Sequence, residues 1–172
     1  LFPRAAAQLK RDLPNARFVI LGQSYPAHRK YEQSLYALAE ELGLELGADL
    51  LITAPGADVA KLATAFDVFW MTSEPYSEGV PTVILEALAL GLPVVSTNVG
   101  AIAEVIQQGE TGFVVESQDA FEIARLTRRI LKNRQLREQM GTNARTYAEQ
   151  HVGLGKCARQ HLLAYNRALS LF

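Results

Sequence analysis

The chain has 172 residues, 49% hydrophobic and 20% charged, a composition that excludes a disordered tail and suits one globular domain. Lys and Arg number 17 and Asp and Glu 18, for a net charge of −1, so bulk charge gives no basis for binding nucleic acid or an anionic membrane. The single cysteine, Cys157, cannot form an internal disulfide, which points to a cytoplasmic setting, and no apolar run approaches the roughly 20 residues of a membrane span.

In chain order, the first predicted element is a helix over residues 2–11. Five short β-branched or aromatic runs follow, at 17–21, 49–53, 67–71, 93–96 and 112–116. They read as strands buried on both faces, because polar alternation is missing. Helical patterns separate them at 30–43, 59–65, 81–91 and 102–107. After the last strand come helices at 119–132, 135–151 and 156–171. Pro81 suits a first helical turn, Gly43 and Gly91 suit helix ends, and Asp119 suits an N-cap. Strands joined by helices, with connections too long for hairpins, predict a doubly wound parallel sheet of the α/β class, followed by a helical C-terminal segment. Such a unit ordinarily opens on a strand. This chain opens on a helix, and Leu1-Phe2-Pro3-Arg4 has neither an initiator Met nor the layout of a signal peptide. The expectation is a piece of a longer protein, with its first strand absent.

Several chemistries lack their motifs. Leu21-Gly-Gln-Ser-Tyr25 carries one glycine and not Gly-x-Gly-x-x-Gly, and neither a P-loop nor a Gly-x-Ser-x-Gly elbow occurs. His151, Cys157 and His161 do not have zinc spacing. No Asp-x-Asp pair offers itself as a metal clamp for a diphosphate, so the expected metal ligands are none, and no cofactor is implied.

One segment stands out: Glu78-Gly-Val-Pro81-Thr-Val-Ile-Leu-Glu86. It follows the most apolar strand, at the sheet edge where doubly wound folds bind ligands. Its helix start presents unpaired N–H groups and the positive end of a dipole, suited to phosphate. Glu86 is the only charged residue from 81 to 91. The apolar neighbours predict a helix buried all round, in which that carboxylate needs a partner such as a sugar hydroxyl. The competing arrangement is a narrow solvent stripe of Thr82, Glu86 and Ala89. Glu78, separated from that carboxylate by seven residues of loop and helix start, reads alone as a solvated loop acid.

This segment, with Pro93-Val-Val-Ser96 after it, resembles the Glu-x7-Glu signature of the group-one retaining glycosyltransferases. Asn98-Val-Gly-Ala-Ile-Ala-Glu104 and Gly109-Glu-Thr-Gly112-Phe-Val-Val resemble that family's next motifs, and Phe18-Val-Ile-Leu-Gly22 and Ala65-Phe-Asp67-Val-Phe its preceding strands. The resemblance runs over residues 2–147. It implies that residues 1–172 are the C-terminal, nucleotide-sugar-binding half of a two-domain GT-B enzyme whose N-terminal acceptor-binding domain lies outside this chain. It also implies metal-independent transfer from a nucleoside-diphosphate sugar. By the same resemblance Glu78 meets the transferred sugar as the catalytic carboxylate, Glu86 holds the ribose, and Gly79, Val80, Thr82 and Val83 contact sugar and diphosphate. Pro81, where many members have Gly, has no N–H to offer. The family's basic pair for the diphosphate falls on and after the strand that is absent, and Arg4, Lys10 and Arg11 are not assigned to it. Two alternatives share the architecture: the donor half of a nucleotide-sugar epimerase, and a non-catalytic regulatory module, though the strand ends supply no receiver-like acid cluster. Arg125, Arg128, Arg129 and Lys132 form one basic helix face, read either as solvated or as a peripheral membrane contact of the full-length enzyme. No nucleic-acid partner is expected. Trp70, on a buried strand, reads as core.

Overall fold

The computed structural model describes every residue except 23, 24, 55, 57, 75–78, 117, 171 and 172. Among the described residues five strands form, β1 (Phe18–Leu21), β2 (Leu50–Thr53), β3 (Phe69–Met71), β4 (Val94–Thr97) and β5 (Gly112–Val115), and every pairing between them is parallel. The helices are α1 (Phe2–Asp12), α2 (Arg29–Glu41), α3 (Val59–Ala63), α4 (Thr82–Ala89), α5 (Ile102–Val105), α6 (Ala120–Lys132), α7 (Arg134–His151) and α8 (Leu154–Leu169). A 3₁₀ turn at Pro26–His28 precedes α2.

Both sheet faces are covered where β4 runs. Val94 packs with Ile84, Leu88, Ile102 and Ala144 of α4, α5 and α7, whereas Val95 packs with Ala5, Ile123 and Ile130 of α1 and α6. All four residues of β4 are buried, which is why their sequence shows no polar alternation. A third cluster sets Ala6 and Leu9 of α1 and Ala39 of α2 against Phe18 and Leu50. The doubly wound expectation therefore holds.

Local chemistry fixes the helix ends. Asp119 caps α6, accepting from the N–H groups of Phe121 and Glu122 at 2.8 and 3.2 Å. Beyond α4, Gly91 sits at φ +75°. The Leu92 N–H donates to the Ala87 carbonyl and the Gly91 N–H to the Leu88 carbonyl, at 3.0 and 2.9 Å, a Schellman closure that a left-handed residue permits. Pro81 is not the first helical residue: it takes the N-cap position of α4 with ψ 125°.

The strands do not hydrogen-bond into one sheet. β2 pairs with β1, and β3, β4 and β5 pair in that order, giving a two-stranded and a three-stranded group. Pairing order is a property of the packed chain, and the local pattern of each run carries no trace of it.

Asp49 ties α1 to the start of β2. Lys10 donates to its carboxylate, the Glu45 N–H donates at 3.1 Å, and Arg17 stands 3.7 Å away. The Lys10 hydrogen bond first, and the Glu45 N–H next, hold the Asp49 carboxyl below the usual aspartate range. A carboxyl lowered in the folded state stabilises fully above its unfolded value of about 3.9, and that stabilisation disappears as pH falls from there through the lower folded value. Asp49→Asn is expected to cost stability at neutral pH and to converge with the parent as pH falls through the lowered folded value. Urea midpoints across that range check it: a constant gap between the two proteins removes Asp49 from the acid limb.

Candidate functional site

β3 delivers the chain to the C-terminal edge of the three-stranded group, and the described part of the segment singled out in the sequence starts at Gly79. Pro81 is buried, and α4 starts at Thr82 with no side chain capping it. Its first N–H groups have no partner within the helix. From there α4 buries Ile84, Ala87 and Leu88, spaced as one helical face, against β4 and α7.

Thr82, Val83, Glu86 and Ala89 are exposed. This corrects the expectation of a helix buried all round. α4 is apolar but is covered on one side, and Glu86 lies on the solvent stripe with Thr82 and Ala89. The carboxylate therefore needs no internal partner, and it is accessible to a ligand. It lies four positions beyond Thr82, so it stands about 6 Å along the axis from the helix start, on the same side.

Neighbouring loops are tied to this edge. The Ala101 N–H donates to the Gly79 carbonyl at 3.2 Å, joining the approach to α4 to the turn after β4. The buried Thr97 hydroxyl donates to the Ser73 carbonyl at 2.8 Å, and the Gln118 amide donates to the same oxygen at 3.1 Å. Asn98 Nδ2 donates to Glu116 at 2.8 Å. The ends of β3, β4 and β5 are thus tied to one another. Sequence reasoning missed Thr97, whose signal was a hydroxyl residue ending a run that is otherwise buried.

Of the six residues assigned from sequence, Gly79, Thr82, Val83 and Glu86 share the exposed approach and stripe of α4. Val80 is half-buried and turns toward an open groove of about 420 Å³, lined also by Leu85, Val105, Tyr147, Val152 and Cys157. Glu78 lies outside the described residues.

The other candidates resolve simply. Trp70 donates from Nε1 to the Thr127 hydroxyl at 2.7 Å and packs on Phe2 and Phe18, with ring centroids 5.2 and 5.7 Å away. It is a core residue. On the basic face of α6, Arg125 pairs with Glu122 at 2.7 Å and Arg128 with Asp12 at 3.5 Å, while Arg129 lies 5.4 Å over the Phe113 ring. Among the described residues no group of three His, Cys, Asp or Glu is placed to hold a metal ion, and no helix is long and apolar enough to cross a membrane.

The family model for glycosyl transferases group 1 matches residues 1–147. The chain belongs to that family. Among its relatives, the D-inositol 3-phosphate glycosyltransferase of Paenarthrobacter aurescens is 34% identical over 175 residues, covering 99% of this chain and 41% of that protein. The N-acetyl-alpha-D-glucosaminyl L-malate synthase of Bacillus anthracis is 36% identical over 108 residues, covering 63% and 28%. The chain spans less than half the length of either relative. Among solved structures, Anabaena HepE in complex with UDP superposes with a TM-score of 0.87 at 23% identity, covering 95% of this chain and 44% of that one. The C-terminal domain of a group 1 family glycosyl transferase (LpcC) from Francisella tularensis gives 0.78 at 22% identity, covering 89% and 78%. The fold of this group 1 member is that of the Rossmann-like C-terminal half of a GT-B glycosyltransferase.

Proposed function

We propose that this chain binds a nucleoside-diphosphate sugar and is the donor half of a retaining, metal-independent glycosyltransferase. The acceptor is held by a second domain, and transfer occurs in the cleft between the two. The observation that carries this reading is the uncapped start of α4 at the strand ends, with the Glu86 carboxylate exposed one turn along the same stripe. A helix start favours negative charge, and the departing diphosphate gains negative charge as the glycosidic bond breaks. Thr82 and Val83 offer N–H groups there; Pro81 offers none. A carboxylate accepts from both hydroxyls of a ribose, and an exposed one does so without having been buried beforehand. The names of the relatives and the UDP held by the Anabaena neighbour support the same assignment.

The role of Glu86 is tested by Glu86→Ala. A hydrogen bond to a charged group contributes about 1.5–3 kcal/mol, so nucleoside-diphosphate affinity is expected to fall roughly ten- to a hundredfold, with or without the sugar. Because the side chain is exposed, the folded stability should change by less than about 0.5 kcal/mol. Calorimetric titration checks both: unchanged nucleotide affinity rejects the ribose role, and a loss of folding would show that the residue is structural.

A further inference from the structure

Charge is unevenly placed on this chain. The helices α1 and α6 hold seven of its 17 Lys and Arg but two of its 18 Asp and Glu, so the surface they share is basic while the rest of the chain is acidic. The two helices lie side by side: Ala5 of α1 packs with Ile123 and Ile130 of α6, and Arg128 stands 3.5 Å from Asp12. Arg4 and Arg11, about two turns apart, are exposed opposite the buried Ala6 and Leu9. On α6 the exposed Phe121, Arg125, Arg128 and Lys132 fall at helical spacing. They form one stripe, opposite the buried Ile123, Leu126 and Ile130.

Fewer than half of these cations are neutralised. Lys10 is held by Asp49, Arg125 by Glu122 and Arg128 by Asp12. Arg4, Arg11, Arg129 and Lys132 form no ion pair with a described residue, and Asp119 is engaged in capping α6. Arg125, Arg128, Arg129 and Lys132 surround an open hollow of about 370 Å³, lined by those four side chains alone among the described residues. Cations gathered around one hollow repel one another, and a phosphate placed among them removes that cost. Phe121 stands at the end of the same stripe, 60% exposed. A soluble phosphate would leave its ring in water. A bilayer takes both: guanidinium and ammonium groups meet lipid phosphates while the ring enters the boundary between headgroups and acyl chains.

We propose that the α1–α6 face docks on an anionic lipid surface, with Arg125, Arg128, Arg129 and Lys132 on the phosphates and Phe121 entering the headgroup boundary beside them. Arg4 and Arg11 extend the contact across α1. The contact is made by a helix face lying on the surface. Because α4 packs on the opposite side of the sheet, docking leaves the α4 start open to a donor. The proposal rests on charge placement and is independent of nucleotide binding, so its failure leaves the function above untouched.

Co-sedimentation of the 172-residue chain with vesicles tests it, using phosphatidylcholine alone and phosphatidylcholine mixed with phosphatidylglycerol at about two to one. At roughly 50 mM salt the chain should bind the anionic vesicles, half-saturating at about 1 mM lipid, and at roughly 500 mM salt it should leave them. It should not sediment with phosphatidylcholine alone. Arg4→Gln combined with Lys132→Gln removes two unpaired cations and should weaken binding roughly thirtyfold, at about fivefold for each. Arg159→Gln combined with Arg167→Gln, both exposed on α8, removes the same charge elsewhere and should leave binding within about a factor of two. Phe121→Ser should weaken vesicle binding about tenfold and leave binding to soluble polyphosphate unchanged. Equal losses in the two double variants would mean that bulk charge does the binding, and would overturn the proposal. Binding to both kinds of vesicle alike, or to neither, would overturn it also. Vesicle binding indifferent to Phe121→Ser, with polyphosphate bound as tightly, would assign the face to a soluble polyanion instead.

Discussion

Glu78→Gln, in a protein carrying both halves, is expected to leave nucleoside-diphosphate binding within about a factor of two and to lower kcat by roughly a hundred- to a thousandfold. The substitution keeps the shape and hydrogen-bonding capacity of the side chain and removes its charge. Glycosyl transfer passes through a transition state with positive charge at the anomeric carbon. A carboxylate facing that carbon interacts more strongly with the transition state than with the bound donor, and such differential binding appears in kcat. The role comes to Glu78 by resemblance, as the first carboxylate of the Glu-x7-Glu signature. A solvated loop acid would leave kcat and affinity both within about a factor of two. Steady-state kinetics with nucleotide titration separate the cases: an unaltered kcat removes Glu78 from the site, and a selective loss of nucleotide binding exchanges its role with that of Glu86.

The largest expected loss of stability from a single added methyl group is at Gly112. A Cβ there would stand 2.1 Å from the Val94 carbonyl oxygen and 2.9 Å from its carbon. Both atoms are backbone of β4, buried between two helical layers, so they cannot swing aside as a side chain can. Gly112→Ala must separate β4 from β5 at the Val94–Gly112 pair. A cost of about 3 kcal/mol is expected, at the upper end for overpacking, which lowers Tm by roughly 6–12 °C for a chain of this size. Gly22→Ala is the control, since nothing lies within 4 Å of a Cβ built there. Calorimetric melting of the two variants checks the contrast, and equal Tm values would show that β5 can shift freely.

The strand-and-helix pattern was legible for a physical reason. A strand buried on both faces must be apolar throughout, so the runs at 93–96 and 112–116 reappear as Val94–Thr97 and Gly112–Val115 with only end residues changed, whereas the equally apolar run at 49–53 forms Leu50–Thr53 with Leu51 exposed, against the expectation of burial on both faces. The Asp119 cap and the Gly91 closure are equally local, and both were readable. Burial of α4 was not. Its residues are apolar on every side apart from Thr82 and Glu86, and composition alone could not say that only the face of Ile84, Ala87 and Leu88 would find a partner. Strand pairing and the Thr97–Ser73 hydrogen bond join residues far apart in sequence, so no window along the chain contains them. At the site, the helix start and the carboxylate one turn beyond it were visible as a motif, whereas the turn of Val80 toward the α7–α8 groove depends on packing between elements.

The central claim is that the start of α4 and Glu86 hold a nucleoside diphosphate. Amide chemical shifts of the ¹⁵N-labelled chain, followed during titration with uridine, guanosine and adenosine diphosphates up to about 10 mM, a range that reaches even millimolar affinities, test it most directly. The expected result is saturable shifts at Gly79, Thr82, Val83 and Glu86 with at least one nucleotide, and loss of saturation in Glu86→Ala. Shifts confined to the α6 face of Arg125, Arg128, Arg129 and Lys132, or no saturable shift with any of the three, would contradict it.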